Sequence, residues 1–257
     1  LLSEKTGNLR EAYEALAKLE QLPGKPGVRE EVLLHLVRLS AQTATAADTR
    51  RHTGVFIKAF PASSNTAVVQ RILLGSLFQA ADYDACIETG QAMMGPLKPA
   101  TPEHDEVLFV LAASLHYRGQ FDKAGPLLDE HVKFYPESGR AVQAAYLQAC
   151  NETRRRKWER AAELLELFLK RHPDASSNPY LPYALCDLAT CQSARRDPIA
   201  ASGTLMRVTE EFPESGIIEV AWLMRGDVER LLGQPRAAEM SYFKALKVSE
   251  GRGNRES

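Results

Sequence analysis

No stretch of this 257-residue sequence approaches the roughly 18 consecutive apolar residues that a membrane helix needs. The best run, Val107 to Ala113, soon meets polar residues, so no membrane-spanning segment is expected. Charge of one sign is also lacking: 32 Lys and Arg against 33 Asp and Glu leave a formal net charge of −1. That balance argues against a broadly basic surface for nucleic acid or membrane and leaves local patches open. Cysteine is scarce, with four residues and no framework of pairs, and the redox compartment is undetermined. Cys186 and Cys191 have a spacing found in some zinc sites, with Cys150, His116 and His172 as conceivable further ligands. On one helix, however, five residues separate two side chains by roughly 140°, so they do not face one ion. Zincin, phosphate-loop and nucleophile-elbow motifs are absent, and the carboxylate pairs Glu163/Glu166 and Glu210/Glu211 have no nucleophile beside them. No catalytic, cofactor or metal residues are expected, and the chain does not read as an enzyme. It begins at Leu1 without Met or a signal-like start, so a targeting segment is expected upstream.

What the sequence does contain is a small residue returning at nearly constant spacing: Ala12, Thr49, Cys86, Ala124, Ala161, Ala201 and Ala238, with gaps of 37, 37, 38, 37, 40 and 37. Five residues before each stands a turn-like position, in order Gly7, Ala44, Ala81, Gly119, Arg156, Arg196 and Gly233. About twelve residues after most of them a proline closes the segment, at Pro61, Pro136, Pro173 and Pro213, with Pro23 one early and Pro96 or Pro99 bracketing its slot. A period of this length means stacked supersecondary units, each touching mainly its neighbours. Function is then sought on a surface.

Within each unit the apolar spacing is helical. Val107, Leu108, Leu111, Ala112 and Leu115 follow the i, i+3, i+4 pattern, Arg118-Gly119-Gln120 interrupts it, and Phe121, Ala124, Leu127, Leu128 and Val132 resume it up to Pro136. The same helical hairpin is predicted for Ala141–Arg154 with Trp158–Arg171 and for Val220–Leu232 with Arg236–Val248. The expected fold is all-α, an α-solenoid of antiparallel hairpins. Its units are an incomplete leading one at 1–23, then 24–61, 62–99, 100–136, 137–173, 174–213 and 214–248, with a polar flexible tail at 249–257.

On these residues the chain resembles the tetratricopeptide repeat family. Trp222, Gly226, Gly233, Ala238, Tyr242 and Ala245 stand where that family places its large, small, turn, small, aromatic and small residues; Leu108, Leu111, Ala112, Gly119, Phe121, Ala124 and Pro136 match in an earlier unit. The sequence departs at Ala44 to Thr49, a degenerate turn, at Arg156 and Arg196, which replace a turn glycine, and at Pro198 and Pro235, which take an aromatic position. The junctions Phe60-Pro61-Ala62-Ser63, Tyr135-Pro136-Glu137-Ser138 and Phe212-Pro213-Glu214-Ser215, and the looser His172-Pro173-Asp174-Ala175-Ser176, put a helix stop beside a Ser or acidic cap for the next helix. They are similar to junctions of bacterial cell-envelope members of the family, including the Tol–Pal cell-division coordinator and the outer-membrane assembly lipoprotein. The same stop-and-start chemistry suits any slightly long helical repeat.

The resemblance implies a right-handed superhelix whose first helices line a concave groove. Its inward positions carry Val68, Arg71 and Phe78, then Glu106, Phe109, His116 and Tyr117, then Gln143, Tyr146, Cys150 and Arg154, then Tyr183, Cys186 and Thr190, then Leu223, Asp227 and Arg230. Arg71, Phe78, Phe109, His116, Tyr117, Tyr146, Arg154, Tyr183, Leu223 and Arg230 are the expected partner contacts, because aromatic and Arg side chains make binding anchors. The Lys and Asn of the carboxylate-clamp version are missing, so an apolar and aromatic groove for a peptide or partner helix is favoured over a chaperone-tail adaptor. Arg154-Arg155-Arg156-Lys157 followed by Trp158 falls on an inter-helix turn, where cations favour the preceding helix end, and no nucleic-acid partner is favoured.

The expected function is a non-enzymatic protein-interaction scaffold or adaptor in a bacterial cell-envelope complex, periplasmic or otherwise envelope-located. A cytoplasmic peptide-sensing module, or an auxiliary array of an enzyme whose catalytic domain lies elsewhere, remains open. Terminal apolar residues Leu9, Leu16, Leu19, Tyr242, Leu246 and Val248 suggest fraying or end-to-end self-association.

Overall fold

The computed structural model describes residues 2–20, 25–174 and 178–256. Among them are thirteen helices and no strand: α1 (Leu2–Leu19), α2 (Pro26–Thr43), α3 (Ala46–Ala59), α4 (Thr66–Gln79), α5 (Tyr83–Met94), α6 (Pro102–Tyr117), α7 (Phe121–Phe134), α8 (Ala141–Arg154), α9 (Trp158–Arg171), α10 (Leu181–Ala194), α11 (Pro198–Glu211), α12 (Ile218–Leu231) and α13 (Pro235–Glu256). This is the all-α helical repeat that the periodicity implies. By contact the chain falls into two compact units, Leu1–Gln120 and Phe121–Ser257.

The turn positions carry the repeat. Ala81, Gly119, Arg156, Arg196 and Gly233 all have φ between 56° and 72°. At each, two backbone bonds close the helix end, as where Arg156 N–H donates to Thr153 O (3.0 Å) and Lys157 N–H to Glu152 O (3.0 Å). This Schellman geometry satisfies carbonyls that the helix leaves unpaired. Glycine adopts the left-handed region freely, whereas an L side chain there costs about 1–2 kcal/mol; the spacing therefore overrides residue preference at Ala81, Arg156 and Arg196. Ala44, in the degenerate turn, has φ −123°, and α3 starts instead on a capping box between Thr45 and Asp48.

Thr49, Cys86, Ala124, Ala161, Ala201 and Ala238 are all buried, as small residues at close helix approaches should be. The first repeat departs. Gly7 lies inside α1 rather than in a turn, and Ala12 is exposed. A single glycine costs a helix about 1 kcal/mol without breaking its hydrogen-bond ladder, so α1 runs through as one helix. It packs through Tyr13, Leu16 and Ala17 beside a core of Leu33, Leu36, Val37 and Phe56. Buried His52 fastens it: Arg51 donates to Nε2 (2.9 Å), which leaves Nδ1–H to donate to Glu20 (3.1 Å). Leu1, Pro23, Ala175 and Ser176 lie outside the described residues.

Two further expectations are corrected. The junction serines do not cap the following helix. Ser63, Ser138 and Ser215 accept instead from the N–H two residues on, at Asn65 (3.0 Å), Arg140 (3.1 Å) and Ile217 (3.4 Å), each the residue just before a helix. Two residues after a helix-stopping proline the hydroxyl reaches only the loop's own amide, closing an ST-turn. At the looser junction Asn178 takes this part, accepting from Tyr180 N–H (3.0 Å) and donating to His172 O (2.9 Å). At the other end, α13 continues to Glu256 where a flexible tail from Ser249 was expected. No proline interrupts residues 249–256, and glycine weakens a helix without removing a donor.

Candidate partner-binding surface

In the first unit α2, α4 and α6 lie side by side, and a hollow of about 280 Å³ opens among Gln42, Val68, Arg71, Ile72, Gly75 and Glu106. Arg71 does not project freely into it. Its Nη1 and Nε donate to Glu103 Oε1 and Glu106 Oε2, both at 3.0 Å, and the fork ties α4 to α6. Phe78 is half-buried among Tyr83, Phe109 and Tyr117, with ring centroids 6.0–6.4 Å apart. Phe109 and His116 are buried and offer no ring to a ligand. Only Tyr117, 44% exposed and 5.0 Å from Tyr83, presents an aromatic surface in this group.

In the second unit the expected residues surround a carboxylate that the periodic count passed over. Tyr146 on α8 stacks on Tyr180 at 5.2 Å and donates its hydroxyl to Asp187 Oδ2 on α10 at 3.1 Å. Burial pushes the Asp187 carboxyl up, while the Tyr146 hydroxyl and the Arg154 charge pull it down. The Tyr146 phenol is pushed up, first by burial and then by Asp187. Buried Cys150 and Cys186 flank this group, each thiol raised to about 12 chiefly by burial. Asp187 lies four residues after Tyr183 and three before Thr190, and so on their face of α10; helical geometry alone would have found it.

Tyr183 is half-buried, and its hydroxyl lies 2.9 Å from where a Cβ on Gly216 would stand. On α12, Val220 (47%) and Leu223 (43%) are exposed one turn apart, and Arg230 is exposed at the helix end. Asp227 accepts from Tyr242 of α13 at 2.8 Å. Of the ten expected partner contacts, therefore, Arg154, Leu223 and Arg230 are exposed in this unit and Tyr146 and Tyr183 partly so, whereas Phe109 and His116 in the first unit are covered. Trp158 packs against the core of α8, α9 and α10. Cys191 meets Thr153 at 3.7 Å while Cys186 packs with Leu185 and Leu205, and among the described residues no group of three His, Cys, Asp or Glu is placed to hold a metal.

The hairpin α8–α9 has every hallmark in place: left-handed turn, buried Ala161, terminal proline. Residues 143–175 match the tetratricopeptide repeat family. The fold is similar to that of MamA. MamA of Desulfovibrio magneticus RS-1, from residue 41 onward, superposes with a TM-score of 0.61 at 13% identity, covering 74% of this chain and 98% of that one. MamA of strain AMB-1 gives 0.57 at 15% identity over 71% and 98%, and MamA of MSR-1 gives 0.58 at 14% over 74% and 99%. No curated protein matches the chain in sequence. No helix of the described residues is long and apolar enough to cross a membrane.

Proposed function

We propose that the protein is a non-enzymatic interaction scaffold that binds an extended peptide or partner helix on the face formed by α8, α10 and α12, within a bacterial cell-envelope complex. The tetratricopeptide match and the MamA-like fold support an interaction scaffold. The observation that carries the choice of face is the exposed pair Val220 and Leu223, with Arg154 and Arg230 exposed on the same set of first helices. Exposed apolar side chains with arginines beside them suit an amphipathic segment with acidic flanks. The aromatic-Pro-x-Ser junctions support the envelope setting. Exposed Met240, Phe243 and Leu246 on α13 support a further capacity for end-to-end association, which light scattering across concentration tests directly.

A photo-crosslinking residue at Leu223, compared with one at Glu163 on α9, identifies the partner in native cells. Calorimetry with that partner then tests Tyr183→Ala and Leu223→Ala. A loss of about tenfold or more for each is expected of central anchors. Parental affinity in both variants would overturn the choice of face, and fractionation placing the native protein in the cytoplasm would overturn the envelope setting.

A further inference from the structure

The hairpin turns of the second unit share one edge. Thr153 and Cys191, near the ends of α8 and α10, meet at 3.7 Å. The starts of α10 and α12 meet where Tyr183 approaches Gly216. With the first helices parallel, the three turns bring together cations far apart in sequence: Arg154, Arg155, Arg156 and Lys157, then Arg195 and Arg196, then Arg230 and Arg236. The unit itself uses some of them. Arg155 pairs with Asp122 and Glu152, Lys157 reaches Glu152 at 3.8 Å, and Arg154 interacts with Cys150 and, less strongly, with Asp187. Arg156, Arg195, Arg196 and Arg236 are exposed and make no ion pair among the described residues. Asp197, next to Arg196, accepts from Ala200 N–H as a helix cap.

A helix dipole accounts for one cation per helix end. It does not account for runs, nor for Arg156 and Arg196 occupying left-handed backbone that glycine would relax. A second feature shares the edge. Ile199, in the first turn of α11, and Leu231, the last residue of α12, are 76% and 65% exposed, the most exposed large apolar side chains among the described residues. Aliphatic side chains standing out among unpaired arginines are the elements of a peripheral membrane contact: guanidinium groups take lipid phosphates while the apolar tips enter the boundary of the acyl layer.

We propose that this edge binds an anionic lipid bilayer, with Arg156, Arg195, Arg196 and Arg236 at the headgroups and Ile199 and Leu231 inserted. The surface adjoins the partner-binding face at Arg154 and Arg230, but none of the six residues assigned to the bilayer belongs to that face, and the proposal does not depend on it. A polynucleotide would call for exposed stacking aromatics, and Trp158 is instead partly buried against the core. An acidic polypeptide would engage the arginines without needing aliphatic tips.

Sedimentation with phosphatidylcholine vesicles, with and without phosphatidylglycerol, tests the proposal. The parent is expected to bind only the anionic vesicles, and less at high salt. Arg156→Gly with Arg196→Gly relieves both strained turns, so it should fold at least as well as the parent. It should nonetheless bind about 25-fold more weakly, about fivefold for each arginine. Ile199→Ser with Leu231→Ser keeps every charge and should lose about tenfold. Leu223→Ala should bind vesicles as the parent does, which separates this result from failure of the partner-binding face. The proposal is overturned if the parent ignores phosphatidylglycerol, if either double variant keeps parental affinity, or if soluble polyglutamate binds the edge while vesicles do not.

Discussion

Replacing Gly226 by alanine tests the packing of the last hairpin, because two opposing effects can be separated. A Cβ built at Gly226 would collide with the ring of Tyr242, nearest its Cε1, at 2.7 Å from Cδ1 and 2.9 Å from Cζ. Carbon contacts relax only near 3.5 Å, so the ring or the helix must move. The ring is restrained, since its hydroxyl donates to Asp227 at 2.8 Å. Overpacking of this kind costs about 1–3 kcal/mol. Against it, alanine improves on glycine within a helix by about 1 kcal/mol. Gly226→Ala should therefore destabilise by about 1 kcal/mol in the parent, and with Tyr242→Ala already present the same change should stabilise by about 1 kcal/mol. The coupling is then about 2 kcal/mol, within the range for contacting residues. Urea melts followed by Trp222 fluorescence in a Trp158→Phe background report on this hairpin directly, because Lys244 of α13 lies over the Trp222 ring at 4.2 Å. Stabilisation by Gly226→Ala in both backgrounds would refute the reasoning.

Other outcomes follow from the same structure. Arg156→Gly and Arg196→Gly should each raise stability by about 0.5–1 kcal/mol, the left-handed penalty less the extra chain entropy of glycine, read as a higher urea midpoint. Ala161→Leu should lower it by about 1–3 kcal/mol, since Ala161 is fully buried; an unchanged melt would mean the site can open. The raised carboxyl of Asp187 means that the folded state holds its proton more tightly than the unfolded chain, so its contribution is fully present below the ordinary carboxylate pKa and declines as pH rises through the folded value. Asp187→Asn should flatten that decline in melts taken from acid to neutral pH; an identical slope would place Asp187 in water. Cys86, Cys150, Cys186 and Cys191 are buried with thiols raised by burial, Cys86 to about 11. A thiol reagent should leave all four unreacted in the folded protein and titrate all four in urea.

The repeat was legible because helix starts and stops are local. A proline without an N–H, or a left-handed residue two past a helix end, acts through bonds spanning three to five residues, and the spacing of 37 to 40 residues exposed Ala81, Arg156 and Arg196 as turns although none is glycine. Where that logic failed, a local competitor decided: Gly7 was carried along by the ladder of α1, and the junction serines turned to the nearest amide rather than the next helix.

The surface was less legible. Counting positions assigned Arg71, Phe109 and His116 to an open groove, yet Arg71 is held by two glutamates more than thirty residues away and both rings are buried. The same counting stepped over Asp187, whose character comes from Tyr146 on another helix. A run of four cations at residues 154–157 looked like helix-end chemistry, and only stacking of the hairpins set Arg195, Arg196, Ile199 and Leu231 on its edge. The sequence by itself determined where most helices of the repeat begin and end, because backbone hydrogen bonding reaches only a few residues along the chain. Tertiary structure decided which side chains are spent and which face solvent, because burial and charge pairing depend on neighbours one repeat away.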